Sequence, residues 1–518
     1  MRFIHSFIFI GILFCSCLNN DGDGHSEDIS EIQLADSLQL DPLLLPSIDE
    51  SLKPFYHGVA SGDPTNDAVV IWTRITPEHT IEKIDVEWEF ATDEGFSRLV
   101  SSGKFTTGPD RDFTVKVDVT GLQPGLTYYY RFKQGDFTSI TGTTRTIPID
   151  PSEMKIAFAS CSNYEWGYFN AYGAMAIDDE LDLVVHLGDY IYEYAIGDYG
   201  DTSLGRINVP AGEIITLQDY RSRYSIYRLD EDLMTAHQKK PFITTWDDHE
   251  IANNSYMDGA ENHQDSTEGN WYSRKSAGTK AYYEWLPVRE PTDKLYRSFK
   301  AGELFNLIIL DTRIAGRTEQ IYDPENENYK DESRSILGKD QYDWLTKELK
   351  EEQQWKIIGN QVPVGPMIVP TEEGSHPYMD GWDGYPAERE RVLNFITEQK
   401  IKNSIFMTGD YHSAFAIETP VGKSTAAVEF VVPSINSSNY DEHTDSSTVV
   451  RAAEGYRKYN PHVRYCNLTD HGYVCLTIQK GQVLTEFVYV ETVKAKDLSV
   501  TTAASFLVRS GASTIKKL

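Results

Sequence analysis

The chain has 518 residues, with 48 Lys and Arg against 79 Asp and Glu for a formal charge of −31, and that acidity excludes electrostatic capture of nucleic acid or docking on anionic lipid. A hydrophobic fraction of 40% with 12% aromatic residues excludes general disorder, and five cysteines are too few for a disulfide-built scaffold. The length predicts more than one domain.

The chain starts with Arg2 and the apolar run Phe7 to Phe14, which is shorter than the roughly 20 residues a bilayer-spanning helix takes. It reads as the core of a signal peptide and ends in Cys15-Ser16-Cys17. The small residue ahead of Cys17 resembles a bacterial lipobox with Cys17 as the lipidated residue; the alternative is an ordinary cleaved signal peptide. Residues 1–17 are thus read as a lipoprotein signal peptide. Residues 18–53 form an acidic linker with one apolar docking patch, Leu43-Leu44-Leu45. The expectation is an exported protein, lipid-anchored to the bacterial envelope on its periplasmic or outer side and touching membrane only through Cys17.

From residue 54 to 148 short runs such as Ala68 to Thr73, Ile84 to Phe90 and Phe113 to Val119 alternate with period two, as half-buried strands do. The turn Leu122-Gln123-Pro124 leading to Tyr128 resembles the tyrosine corner of fibronectin-III and immunoglobulin-like sandwiches, which makes Tyr128 a packing residue. From 149 to 490 strands alternate with helical stretches, the texture of a layered α/β domain. Expected strands are Met154 to Ala159, Leu181 to Leu187, Phe242 to Trp246, Phe305 to Leu310, Trp355 to Ile358 and Ser404 to Met407. Helices are expected over Leu217 to Met234, Tyr272 to Leu286, Gln341 to Glu351 and Glu388 to Glu398. The Ala503 to Val508 stretch makes 491–518 a helical C-terminal segment, either a lid on the site or a cover on the back of the sheet.

Polar residues able to bind metal follow these strands: Ser160-Cys161-Ser162-Asn163, Gly188-Asp189-Tyr190-Ile191-Tyr192-Glu193, Asp247-Asp248-His249-Glu250, Asp311-Thr312-Arg313, Gly359-Asn360-Gln361 and Gly409-Asp410-Tyr411-His412. In α/β sheets the carboxyl ends of the strands gather along the edge where ligands bind. One strand ending in Gly-Asp is an ordinary turn; six such exits point to a site. His57, His186, His237 and His376 belong to no such motif and read as packing or surface residues. Asp470 and His471 are weaker candidates for its border. Cys466 and Cys475 flank a short polar stretch and could pair across a hairpin, or stay free.

Gly-Asp-x-x-Tyr, Asp-Asp-His-Glu and Gly-Asp-x-His resemble the motif set of calcineurin-like metallophosphoesterases, and the Asp-x-x-Tyr form is similar to purple acid phosphatases. With the opening Phe55-Tyr56-His57-Gly58-Val59-Ala60-Ser61-Gly62-Asp63-Pro64 and Ala159-Ser160-Cys161-Ser162, the chain resembles the PhoD family of alkaline phosphatases and phosphodiesterases from about Phe55 to Val490. The resemblance implies a four-layer α/β metallophosphoesterase sandwich preceded by a small all-β domain of fibronectin-III or immunoglobulin type. It implies Fe(III) with one or two Ca²⁺, other divalent metals also fitting, and attack of a metal-bound hydroxide on phosphorus. Asp189 matches the carboxylate shared between metals, and Cys161, Tyr192 and His412 match iron ligands. Asp248, Asp410 and Asn360 make an oxygen-rich second site suited to calcium. His249 is the expected acid, and Arg313 and Arg274 are candidate phosphoryl clamps whose alternative is a structural ion pair. The expected partner is a phosphate ester, mono- or diester, and the expected state a monomer. A phospholipase D-like preference for lipid head groups and a non-catalytic surface binding lipoprotein are the alternatives. Members of the family often carry a twin-arginine leader; here Arg2 stands alone, so metals are expected to load after export.

Overall fold

Alternating side chains in two sheets build the body of the molecule. The computed structural model describes residues 40–290, 294–371 and 374–518, so the leader with Cys17 and most of the acidic linker lie outside the described residues. Among the described residues, the larger sheet has ten strands in the order Lys516–Lys517, Val500–Arg509, Gln482–Val490, Gly472–Gln479, Glu153–Ala159, Leu183–His186, Pro241–Thr244, Val59–Gly62, Ala68–Arg74 and Thr114–Thr120. The second has seven: Arg297–Ala301, Phe305–Ile309, Trp355–Asn360, Ser404–Thr408, Ser424–Val431, Ala414–Val421 and Val463–Asn467.

Period two decides which layer each residue enters. Ile156, Phe158 and Val185 of the larger sheet face Leu307, Ile357 and Ile405 of the smaller one in a shared core. The intervening Ala157, Ala159 and Val184 turn outward against helices Asn170–Ile177, Leu217–Arg228, Glu231–Lys239 and Trp271–Trp285. On the far side Ile358 and Phe406 pack under helices Gly338–Glu348 and Pro386–Glu398. Strands buried on both faces explain why these runs read as continuously apolar.

The N-terminal β-sandwich is present, and its tyrosine corner forms: Tyr128 Oη accepts the Gln123 N–H at 2.8 Å. It is not a detached module. Val59–Gly62 runs parallel to Pro241–Thr244, so one of its sheets continues the ten-stranded sheet, while Leu99–Thr107, Ile84–Ala91, Thr127–Gln134, Phe137–Thr138 and Gly142–Arg145 make the other. The join explains the Gly62-Asp63 motif. A Cβ on Gly62 would come within 2.4 Å of the Pro287 carbonyl, and buried Asp63 accepts the Arg289 N–H at 2.8 Å and Arg297 Nη2 at 2.7 Å. Removing one partner of a buried ion pair typically costs about 3 kcal/mol or more. Asp63→Ala is therefore expected to destabilise by about that amount, read as a lower denaturant midpoint at constant slope; an unchanged midpoint would refute the clamp.

Two expectations change. The helix over Leu217 to Met234 is two helices, because Asp230 accepts from Asp232 N and Leu233 N and starts the second. The 491–518 segment is not helical: Val500–Arg509 pairs antiparallel with Gln482–Val490, burying Ala504, Phe506 and Val508 between the sheets, so cross-strand pairing overrides the alanines' helix propensity. It extends the sheet and is neither lid nor cover. The expected docking patch is present: the linker ends in a turn, Pro42–Ser47, whose Leu44 is buried against the helix layer. Cys466 and Cys475 are buried free thiols on strands of different sheets, since the chain crosses from one sheet to the other after Asn467 instead of turning back as a hairpin.

Candidate active site

The parallel strands of both sheets deliver their exit loops to one place. Cys161, Asp189, Asp410 and His412 adopt positive φ values of 60°, 56°, 63° and 57°. Non-glycine residues pay for this conformation, and such clusters persist at functional sites where the surroundings over-determine them. Gly188, at φ 113°, is needed outright: a Cβ there would lie 2.5 Å from the Asp247 nitrogen.

Cys161 Sγ lies 3.4 Å from Asp189 Oδ2, and Tyr192 Oη lies 3.3 Å from the same oxygen and 3.0 Å from His412 Nε2. His412 Nδ1 is 3.0 Å from the Ser438 carbonyl, which only accepts, so Nδ1 carries the proton and the Nε2 lone pair points at Tyr192. Burial lowers the His412 pKa to about 4, keeping the ring neutral. Burial, and then the neighbouring Asp189 charge, push the Cys161 thiol and the Tyr192 phenol well up. Burial, with Asp247 and Asp248 adding to it against the pull of His249, raises the Asp189 pKa well above the ordinary carboxylate range.

Asp189, Asp248 and His249 make a second cluster and Asp247, Asp248 and Asp410 a third, each with ligand atoms within 4.8 Å of one another. Asp189 Oδ1 and Asp247 Oδ2 are buried without any hydrogen-bond partner. Orphaned buried carboxylate oxygens flanked by thiol, phenol, imidazole and further carboxylates are what a bound cation satisfies. The residues present fit metal ions.

Three candidates have other work. Arg313 is fully buried, its Nε on Asp247, Nη1 2.7 Å from Asp380 and Nη2 2.8 Å from Asp410, so it holds the acidic cluster together rather than reaching for a phosphoryl group. Arg274 is buried too, on Glu213 at 2.6 Å and Glu268 at 3.0 Å, away from the cavity. Asn360 accepts Trp382 Nε1–H at 3.1 Å and donates to Val362 O and Thr408 Oγ1, so its amide is occupied by its own strand exits. In both arginines the structural ion pair prevails, because an acid-rich chain supplies buried partners.

His249 lines the cavity with its Nδ1 2.6 Å from Glu193 Oε2. Glu193 is fully buried and also accepts Asn253 N at 2.6 Å and Asn262 Nδ2 at 2.9 Å, which fixes it as an acceptor and leaves His249 Nε2 facing the cavity. Although burial disfavours the imidazolium, Asp248, Glu193 and Asp189 raise its pKa well above the ordinary histidine value. Glu250, the last residue of the Asp-Asp-His-Glu motif, accepts the N–H groups of Asp189, Tyr190 and Asp247 at 3.1, 2.6 and 2.8 Å, stapling two strand exits together. Sequence reasoning assigned no role to Glu193, Asp247, Asp380 or Tyr378, whose Oη donates to Asp410 Oδ2 at 2.6 Å. Only Glu193 and Asp247 carried a signal, by standing inside motifs.

The cavity beside the cluster holds about 630 Å³ and is lined by Asp189, Asp248, His249, Asp410 and His412 together with tyrosines 194, 199, 322 and 378. His376, a surface residue as its sequence context suggested, also lines it. His471 is buried on Ser434 and Asn439 and does not line it.

A family model described as PhoD-like phosphatase matches residues 156–487, and one for the N-terminal domain of PhoD-like phosphatase matches residues 44–148. Alkaline phosphatase D of Bacillus subtilis (strain 168) is 37% identical over 492 residues, covering 90% of this chain and 82% of that protein. A solved structure of PhoD superposes with a TM-score of 0.82 at 35% identity, covering 91% of this chain and 93% of that one.

Proposed function

The chain belongs to the PhoD-like phosphatase family and is a phosphoesterase, and from that premise we propose that it is an exported enzyme releasing phosphate from mono- or diesters at an iron–calcium site. The observation that carries the metal assignment is the buried, partly orphaned Asp189 carboxylate set among Cys161, Tyr192, Asp248 and His412. Thiolate, phenolate, imidazole and carboxylate at Cys161, Tyr192, His412 and Asp189 suit Fe(III), whereas the all-oxygen set of Asp189, Asp248 and Asp410 suits calcium. Cations bound there supply charge neutralisation for the phosphoryl oxygens and lower the pKa of a water.

The chain's own groups do the rest. Arg313 keeps Asp247, Asp248 and Asp410 at ligand spacing without their mutual repulsion opening the site. His249, protonated and aimed by Glu193, gives its Nε2 proton to the departing alkoxide. Release of the chromogenic alcohol from a monoester and from a diester, with metal content measured on the same preparation, tests the reading; a metal-replete protein inert on both would refute it. Glu193→Gln leaves the ring without its anionic anchor and is expected to lower kcat about tenfold to a hundredfold with KM little moved. Unchanged kcat would exclude this positioning role.

Export and lipidation rest on the leader read from the sequence. Among the described residues no helix is long and apolar enough to cross a membrane. Mass spectrometry of the mature N-terminus should find a lipid on Cys17, and an unmodified, uncleaved leader would count against anchoring.

A further inference from the structure

The cavity wall beyond the proposed catalytic groups is aromatic and free of fixed positive charge. Tyr194 and Tyr199 meet edge to face at 5.5 Å, and the Tyr194 ring lies 5.4 Å from that of His249. The aromatic surface thus begins beside the group that protonates the leaving alkoxide. Two segments distant in the chain extend it: Tyr322, 51% exposed with its Oη donating to Glu261 at 3.3 Å, and exposed His376 followed by Met379. No Lys or Arg lines the cavity among the described residues.

These features select a leaving group. Aromatic side chains stack on flat rings whatever their edges carry. Beyond the metal ligands, a wall without lysine or arginine offers no counter-charge to a second or third phosphate. The volume of about 630 Å³ falls among those of small-molecule sites and leaves room beside a single phosphoryl group. Resting on the phosphoesterase reading above, we infer that the cavity contains a leaving-group subsite for an uncharged flat ring, making esters of one phosphate with a nucleoside-like alcohol its preferred substrates.

The metal-loaded protein is assayed for phosphate release from adenosine monophosphate, adenosine triphosphate, glycerol phosphate and para-nitrophenyl phosphate. Adenosine and glycerol depart as alkoxides of similar basicity, so their ratio reports the ring and not the leaving-group chemistry. The expected kcat/KM for adenosine monophosphate exceeds that for glycerol phosphate by about tenfold, the size of one base-stacking contact. It also exceeds that for adenosine triphosphate, whose terminal phosphate is released by anhydride cleavage with adenosine diphosphate as a charged leaving group that the wall does not pair. Tyr322→Ala, at an exposed position that does not threaten folding, should bring the monophosphate-to-glycerol ratio close to one. Turnover of para-nitrophenyl phosphate without that preference, or a ratio untouched by Tyr322→Ala, overturns the inference while leaving the phosphoesterase reading standing. Turnover of a chromogenic diester alone also overturns the inference, whereas no turnover of the diester or of any of the four compounds removes the parent reading and this inference with it.

Discussion

Asp189→Asn should lower kcat/KM for phosphate ester hydrolysis by about a thousandfold or more and strip metal from the protein, since several kcal/mol of charge stabilisation disappear. The substitution removes one oxygen from a carboxylate whose Oδ2 sits 3.4 Å from Cys161 Sγ and 3.3 Å from Tyr192 Oη and whose Oδ1 has no protein partner. In place of a negative oxygen it presents an amide NH₂, which repels a cation. The fold should survive, because asparagine tolerates the left-handed backbone at this position as well as aspartate does. It also removes a buried charge that nothing in the protein fully satisfies. The expected pattern is a melting temperature equal to or above that of the unaltered chain, with metal content and turnover both lost. Turnover within threefold at full metal content would refute the role of Asp189.

His249→Gln should cost about 10²- to 10⁴-fold in kcat on esters of alkyl alcohols, the usual contribution of a positioned general acid. On para-nitrophenyl phosphate the loss should be much smaller, because nitrophenolate leaves without protonation. That split separates a proton donor from a metal ligand, whose removal would damage both substrates alike. Glutamine can still donate a hydrogen bond to Glu193 from its amide, so the buried carboxylate is not left bare and the fold is preserved. Equal losses on the two classes of ester would assign His249 to metal binding instead of proton transfer.

The parts of this site legible in the sequence are those that a strand exit and a short motif define together. Cys161, Asp189, Tyr192, Asp248, Asp410 and His412 gather in one cluster beside the cavity, because each stands two to six residues beyond a buried parallel strand. What could not be read depends on partners far away in the chain. Arg313 shows a cation at a strand exit, but not that Asp247, Asp248, Asp380 and Asp410 converge on it. Asn360 has the chemistry of a ligand, and only the fold shows Trp382 holding its oxygen. The same limit governs the fold. Ala503-Ala504-Ser505 is locally helical in propensity, and only the neighbouring Gln482–Val490 strand makes it a strand. The N-terminal sandwich was legible as a sandwich, but the parallel pairing of Ser61 with Pro241 that fuses it to the catalytic sheet was not. The charge of −31 gains a location as well: part of it is concentrated in the buried carboxylates at 189, 247, 248, 380 and 410 around the cavity and Arg313, and cations would neutralise it there.

Anomalous diffraction at the iron absorption edge, from crystals of enzyme active on a phosphate ester, tests the central claim most directly. The account predicts a peak within bonding distance of Cys161 Sγ, Asp189 Oδ2, Tyr192 Oη and His412 Nε2 together. Active crystals with no metal peak among those four atoms would contradict it.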